Sequence, residues 1–118
     1  MNKDQWREIV QKSGDLVWRI EVQSLDDDST KNLEVPFVDT IENAGLLIGR
    51  SSDCNVVLSD TTLPSRAAKI WAASNHIMVD VLKGTVTLNE DRTCNAGSSM
   101  RFDGEPLLFS RFKVTVRF

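Results

Sequence analysis

The stretch whose residue types and spacing best suit a ligand is Ile48-Gly49-Arg50-Ser51-Ser52-Asp53-Cys54-Asn55-Val56-Val57-Leu58. Gly49 permits a tight exit from an apolar strand. Arg50 then presents a planar fork of donors that matches a phosphate or carboxylate. Ser51 and Ser52 add hydroxyl donors beside it. Catalytic chemistry is harder to assemble. A nucleophile–histidine–acid arrangement must use His76, the only histidine, and no G-x-S-x-G elbow is present. Cys54, His76 and Cys94 are far apart in sequence and lack the C-x2–4-C knuckle of structural zinc. There is no G-x-x-x-x-G-K-[ST] cradle and no obvious carboxylate pair for acid/base work. The chain reads as non-catalytic, with no metal and no cofactor.

The elements that must position Arg50 are mostly short strands. Residues 3–12 are the exception: Trp6, Ile9 and Val10 have the i, i+3, i+4 spacing of a short amphipathic helix, ended by Ser13-Gly14. From Asp15 the period becomes two. Leu16, Trp18, Ile20 and Val22 alternate with polar or surface residues, as in a half-buried strand. Asp26-Asp27-Asp28-Ser29-Thr30 reads as a solvated hairpin tip, since it lacks the spacing and later Glu of a calcium loop. Leu33, Val35 and Phe37 alternate again, with Pro36 marking an edge strand. Leu46–Ile48, Val56–Leu58 and Leu107–Phe109 are short apolar strands, and Phe112, Val114, Val116 and Phe118 alternate to the end.

Residues 67–88 predict two successive hairpins, with turns at Ser74-Asn75 and Lys83-Gly84. The first sets Ile70 opposite Val79, Ala72 opposite Ile77 and Ala68 opposite Val81. The second sets Val81 opposite Val86 and Val79 opposite Leu88. On the outer face Lys69 meets Asp80, and Trp71 meets Met78 with Leu82 nearby. This pattern predicts an all-β sandwich of about ten or eleven short strands over 15–118, preceded by a helix or extension over 1–14.

The chain has 118 residues, which fits one domain, and carries 14 Lys+Arg against 17 Asp+Glu for a net charge of −3. That balance argues against direct nucleic-acid binding, which wants a basic stripe, and no apolar run approaches the roughly 20 residues of a membrane helix. The N-terminus lacks a signal-peptide layout, and two cysteines make no disulfide framework. The expectation is an intracellular, reduced protein.

The Ile48–Leu58 run resembles the I-G-R-x-x-x-C-x-[IV]-x-L signature of forkhead-associated (FHA) domains. Gly84-Thr85-Val86-Thr87-Leu88-Asn89 is similar to the end of that family's N-G-T-[FY]-[VL]-N turn. Phe102-Asp103-Gly104-Glu105-Pro106-Leu107-Leu108-Phe109 looks like its L-x-x-G-D-x-I-x-[FL] strand. The likeness covers about 15–118 and implies a β-sandwich whose loops at one end bind phosphothreonine peptides. Within the family, the G-R-x-x-D-C-x-V-x-L-x-x-x-x-[IL] run from Gly49 to Leu63 resembles that of the N-terminal FHA domain of mediator-of-DNA-damage-checkpoint proteins. That implies a nuclear adaptor that self-associates as a homodimer and meets other DNA-damage-response proteins.

Departures from the family pattern lie in the recognition residues. Where the family has S-R-x-H-A-x-I, a gapless count from Arg50 gives Pro64 at the Ser, Ser65 at the basic residue and Ala67 at the bracing His. Sliding the strand by one restores Ser65-Arg66 but turns Lys69 inward, against the hairpin pairing, while a loop one residue longer restores Ser65 and Arg66 and loses the His. Lys83 stands where the turn's Asn belongs, and a lysine has donors but no acceptor. The expected remnants of a phosphopeptide site are Arg50, Ser51, Ser65, Arg66 and Lys83, with binding weak or lost. The alternative is a working phosphothreonine reader using Arg50 with Ser65 and Arg66. The candidate dimer or partner surface is Trp71, Met78, Leu82 and Trp6, with the N-terminal helix as the competing intramolecular cover of Trp71 and Met78.

Overall fold

In the computed structural model, residues 2–73, 76–88 and 92–118 are described. Helix α1 (Lys3–Ser13) is followed by β1 (Val17–Ser24), β2 (Thr30–Pro36), a 3-10 turn (Phe37–Thr40), β3 (Leu46–Gly49) and β4 (Val56–Val57). Then come β5 (Ala68–Ala73), β6 (His76–Val81), β7 (Thr85–Leu88), β8 (Arg92–Asn95), β9 (Ser99–Phe102), β10 (Leu107–Phe109) and β11 (Phe112–Arg117). Among the described residues these eleven strands form two sheets, ordered β2-β1-β11-β10-β7-β8 and β4-β3-β5-β6-β9. This is the expected all-β sandwich with a short N-terminal helix.

The inward residues of each strand meet between the sheets. Trp18, Ile20, Val86, Leu88, Leu107, Phe109, Val114 and Val116 come from one sheet, and Leu46, Ile48, Ala68, Ile70, Val79, Val81 and Phe102 from the other, all at most 2% exposed. Alternation ends before the strand tips: Leu16 and Phe118, both expected inward, are 39% and 51% exposed. The β5–β6 hairpin has the expected register, with Ala68 opposite Val81, Lys69 opposite Asp80, Ile70 opposite Val79, Trp71 opposite Met78 and Ala72 opposite Ile77. Its Ser74-Asn75 turn lies outside the described residues, as does Asn89.

The second expected hairpin is corrected. β6 pairs with β9, setting Val79 opposite Met100 and Ile77 opposite Phe102. Its far end is closed by Val81 N–H donating to the Ser98 carbonyl and Gly97 N–H to the Val81 carbonyl. With that edge taken, the chain crosses at Leu82–Gly84 into the other sheet, where β7 pairs with β8 and β10. Alternation reports which face of a strand is buried, and Val81 and Val86 both face the core. It does not report which sheet holds the strand.

Helix α1 is started by a capping box: the Asn2 side chain accepts from Gln5 N–H at 2.8 Å, and the Gln5 side chain accepts from Asn2 N–H at 3.0 Å. Its apolar stripe docks on its own sandwich. Trp6 is fully buried, stacked 6.2 Å from Trp18 and tilted against Phe37 at 5.6 Å. Its indole N–H donates to the Thr40 hydroxyl at 2.8 Å, and that hydroxyl donates to the Phe37 carbonyl at 2.6 Å. Trp6 is therefore core rather than partner surface, and α1 covers the Trp18–Phe37 region rather than Trp71 and Met78. Two aromatic neighbours and a satisfied indole anchor an eleven-residue helix that would be marginal alone. Among the described residues no helix is long and apolar enough to cross a membrane.

Candidate anion-binding cleft

Strand β3 ends at Gly49, and the β4–β5 connection is stitched across that exit. Arg50 N–H donates to the Pro64 carbonyl at 3.1 Å, Ser51 N–H to the Ser65 carbonyl at 3.0 Å and Ala67 N–H to the Ile48 carbonyl at 2.9 Å. The approach demands glycine: a Cβ on Gly49 would overlap the Ser65 carbonyl oxygen and lie 2.9 Å from Arg66 Cα. Cys54, buried beneath, donates its thiol to the Ser65 carbonyl at 3.3 Å. Burial pushes that thiol up from its usual range, so Cys54 is a structural spacer rather than a nucleophile.

The β6–β7 crossing is tied to the same connection. The Ala67 carbonyl accepts from Leu82 N–H at 2.8 Å and Lys83 N–H at 3.3 Å. Gly84, at φ +72°, brings the crossing against Pro64, whose Cγ would stand 3.2 Å from an added Cβ. Three segments remote in sequence thus enclose an open cleft of about 500 Å³ lined by Arg50, Pro64, Ser65, Arg66, Leu82 and Lys83.

Four of the five expected remnants line this cleft, and Ser51 stands beside it. Arg50 is held at its neck, with Nε donating to the Leu63 carbonyl at 3.0 Å, while a terminal nitrogen donates to the Ser65 hydroxyl at 3.3 Å. Two of its five N–H donors are spent and the others remain for a ligand. Arg66 instead pairs with Asp53. Lys83 is exposed and makes no ion pair among the described residues. Bonds from the Ser51 hydroxyl and the Arg66 guanidinium hold the Asp53 carboxyl below the usual carboxylate range. Three cations converge on one rim, with one carboxylate beside them.

The register excludes one of the sequence alternatives. Ala68 and Ile70 are buried, while Lys69 pairs with Leu47 and Asp80 away from the core, so the strand is not slid by one. Ala67, 2% exposed, has only a methyl group with which to brace the loop. Bracing is done by the Ala67 backbone, which no side-chain motif announces. Ser65 and Arg66 nonetheless reach the cleft. Leu82 is corrected: it lines the cleft, beyond the end of β6, rather than the Trp71–Met78 face. Trp71 and Met78 are neighbours on the outer face, both half-buried, and the Trp71 indole N–H is buried without a hydrogen-bond partner among the described residues. His76 lies at the opposite end of β6 from the cleft, and Cys94 lies opposite Val86 in the other sheet. Sequence reasoning missed Asp53, whose partner is 13 residues away on another loop. It also missed Pro64 and Leu82 as cleft walls.

No protein-family model matches the sequence, and no curated protein matches it. Solved structures do. The chain is similar to Mycobacterium tuberculosis EmbR in complex with a low-affinity phosphopeptide, with a TM-score of 0.60 and 16% identity, over 97% of this chain and 29% of EmbR. It therefore spans less than a third of that protein's length. It is similar to the FhaA FHA domain complexed with the intracellular domain of Rv3910, with a TM-score of 0.55 and 21% identity, over 83% of this chain and 99% of that one. A third likeness is to an FHA domain studied for phosphothreonine-dependent interactions, with a TM-score of 0.54 and 22% identity, over 85% of this chain and 96% of that one. At such identities the likeness is one of architecture, and the fold of this chain, a sandwich of two sheets with an N-terminal helix, is that of FHA domains.

Proposed function

We propose that this chain is a non-catalytic protein-interaction module that takes phosphorylated peptides weakly at the Arg50 cleft. The supporting observation is the convergence of Arg50, Ser65, Arg66 and Lys83 from three segments on one open rim. A dianionic phosphate suits three cations and a hydroxyl, since charge-assisted bonds are the strong ones. Weakness follows from what is missing. Pro64 offers the cleft no donor, Lys83 offers no acceptor for a peptide backbone, and Arg66 is already paired. Losing two or three such bonds at about 1.5–3 kcal/mol each moves micromolar binding toward millimolar. Calorimetry against a degenerate phosphothreonine-peptide library should give no binding tighter than roughly 100 µM. What binding there is should be lost in Arg50→Ala. Low-micromolar affinity that survives Arg50→Ala would overturn this reading.

Homodimerisation is the second reading. It is favoured by Trp71 and Met78 lying side by side, both half-buried, on an outer face that α1 leaves uncovered. The biological setting we infer, a nuclear adaptor meeting other DNA-damage-response proteins, rests on the Gly49–Leu58 run and its resemblance to the mediators. A fluorescent fusion that stays outside the nucleus, or fails to redistribute after DNA breakage, would remove that setting.

A further inference from the structure

Arg50 and Arg66 line the same cleft but are held in opposite ways. Arg50 is gripped at Nε by the Leu63 carbonyl and at one terminal nitrogen by the Ser65 hydroxyl, both uncharged acceptors. Arg66 is gripped at a terminal nitrogen, Nη2, the part of an arginine that reaches a ligand, and the grip comes from a carboxylate. Asp53 does not line the cleft. It stands beside it, three residues after Arg50, with both partners of the pair about half exposed. One residue on the β3–β4 segment therefore takes up a donor that the β4–β5 segment offers.

We infer that Asp53 is an internal competitor for the cleft: in the free domain its carboxylate occupies Arg66, and a phosphate that uses Arg66 must displace it. The inference rests on the cleft being an anion site. An exposed ion pair is weak, so displacement is feasible, and the tethered carboxylate lowers apparent affinity without blocking the site. A phosphate carries more charge than the carboxylate it replaces, and so recovers more from Arg66 than Asp53 gives up. Asp53 sets how much phosphate the domain needs before Arg66 joins in.

The test is a titration of the intact domain with inorganic phosphate at fixed ionic strength, followed by backbone amide shifts at Ser65 and Arg66. Asp53→Asn should tighten phosphate binding by about two- to fivefold, the range expected for releasing an exposed pair. Arg66→Ala alone should change affinity less than Arg50→Ala, because Arg66 is already occupied. In the Arg66→Ala background, Asp53→Asn should give no gain. A gain that persists there would reduce Asp53 to a distant charge and overturn the inference. Weaker binding in Asp53→Asn would make it a positioning residue and overturn it too. If phosphate binds the wild type and Asp53→Asn leaves affinity unchanged, the competitor fails while the anion site stands. If phosphate shifts no cleft amide in any form, the anion site fails and the competitor with it.

Discussion

Gly49 carries more of the cleft than its size suggests. Its missing side chain lets the Ser65 carbonyl close over the end of β3, and that closure places both Arg50 and Ser65. Gly49→Ala should cost roughly 1–3 kcal/mol in urea unfolding, because backbone rather than a flexible side-chain tip must move. It should also loosen phosphate binding. Asp27, Glu42, Asp53 and Asp60 are each held below the usual carboxylate range, chiefly by a side-chain hydrogen bond from Ser29, Lys3, Ser51 and Thr62 respectively. A group whose folded pKa lies below its unfolded one adds stability above the unfolded value and loses it as pH falls through the folded one. All four groups are exposed, so the effect is small. The thermal midpoint should fall modestly from pH 5 to pH 3, and Asp53→Asn should flatten its share. A midpoint that rose over that interval would contradict these bonds. Arg50 was legible in the sequence because strand exit, glycine and arginine are consecutive. Asp53 was not, because its role is a contact between loops with no local pattern.

At the level of elements, legibility followed periodicity. The β5–β6 register could be read because one alignment satisfied the buried set, the Lys69–Asp80 pair and the Trp71–Met78 pair together. The partner of β7 could not, because facing the core is the same signal from either sheet. β8, Arg-Thr-Cys-Asn, buries no residue and has no apolar alternation, and β9 offers only Met100 and Phe102, so both went unread. Helix α1 was legible as an element, but its seat was not: Trp6, Trp18 and Phe37 are distant in sequence and meet only when the sandwich closes. Trp6→Ala should cost about 3–5 kcal/mol, since it removes a fully buried indole and leaves the Thr40 hydroxyl without its donor. Circular dichroism should show the helical contribution reduced while the β signal persists. An unchanged unfolding midpoint would mean that α1 does not dock as described.

For the whole molecule, the sandwich separates a framework from two surfaces. The loop end offers cations, and the outer face of β5 and β6 offers Trp71 beside Met78. If that face joins two copies, a two-fold contact makes one substitution act twice. Trp71→Glu should then lower the solution mass from about twice the 13.2 kDa chain mass to that of one chain, leaving the β spectrum intact. A wild type already at 13.2 kDa at tens of micromolar would dispose of the dimer. The loop end carries the central claim, and amide chemical-shift mapping with a phosphothreonine-peptide library tests it most directly. The account predicts weak, saturable shifts confined to Gly49–Ser51, Ser65–Ala67 and Leu82–Gly84, absent with the unphosphorylated library and in Arg50→Ala. Shifts centred on another face, or none at these residues at millimolar peptide, would contradict it.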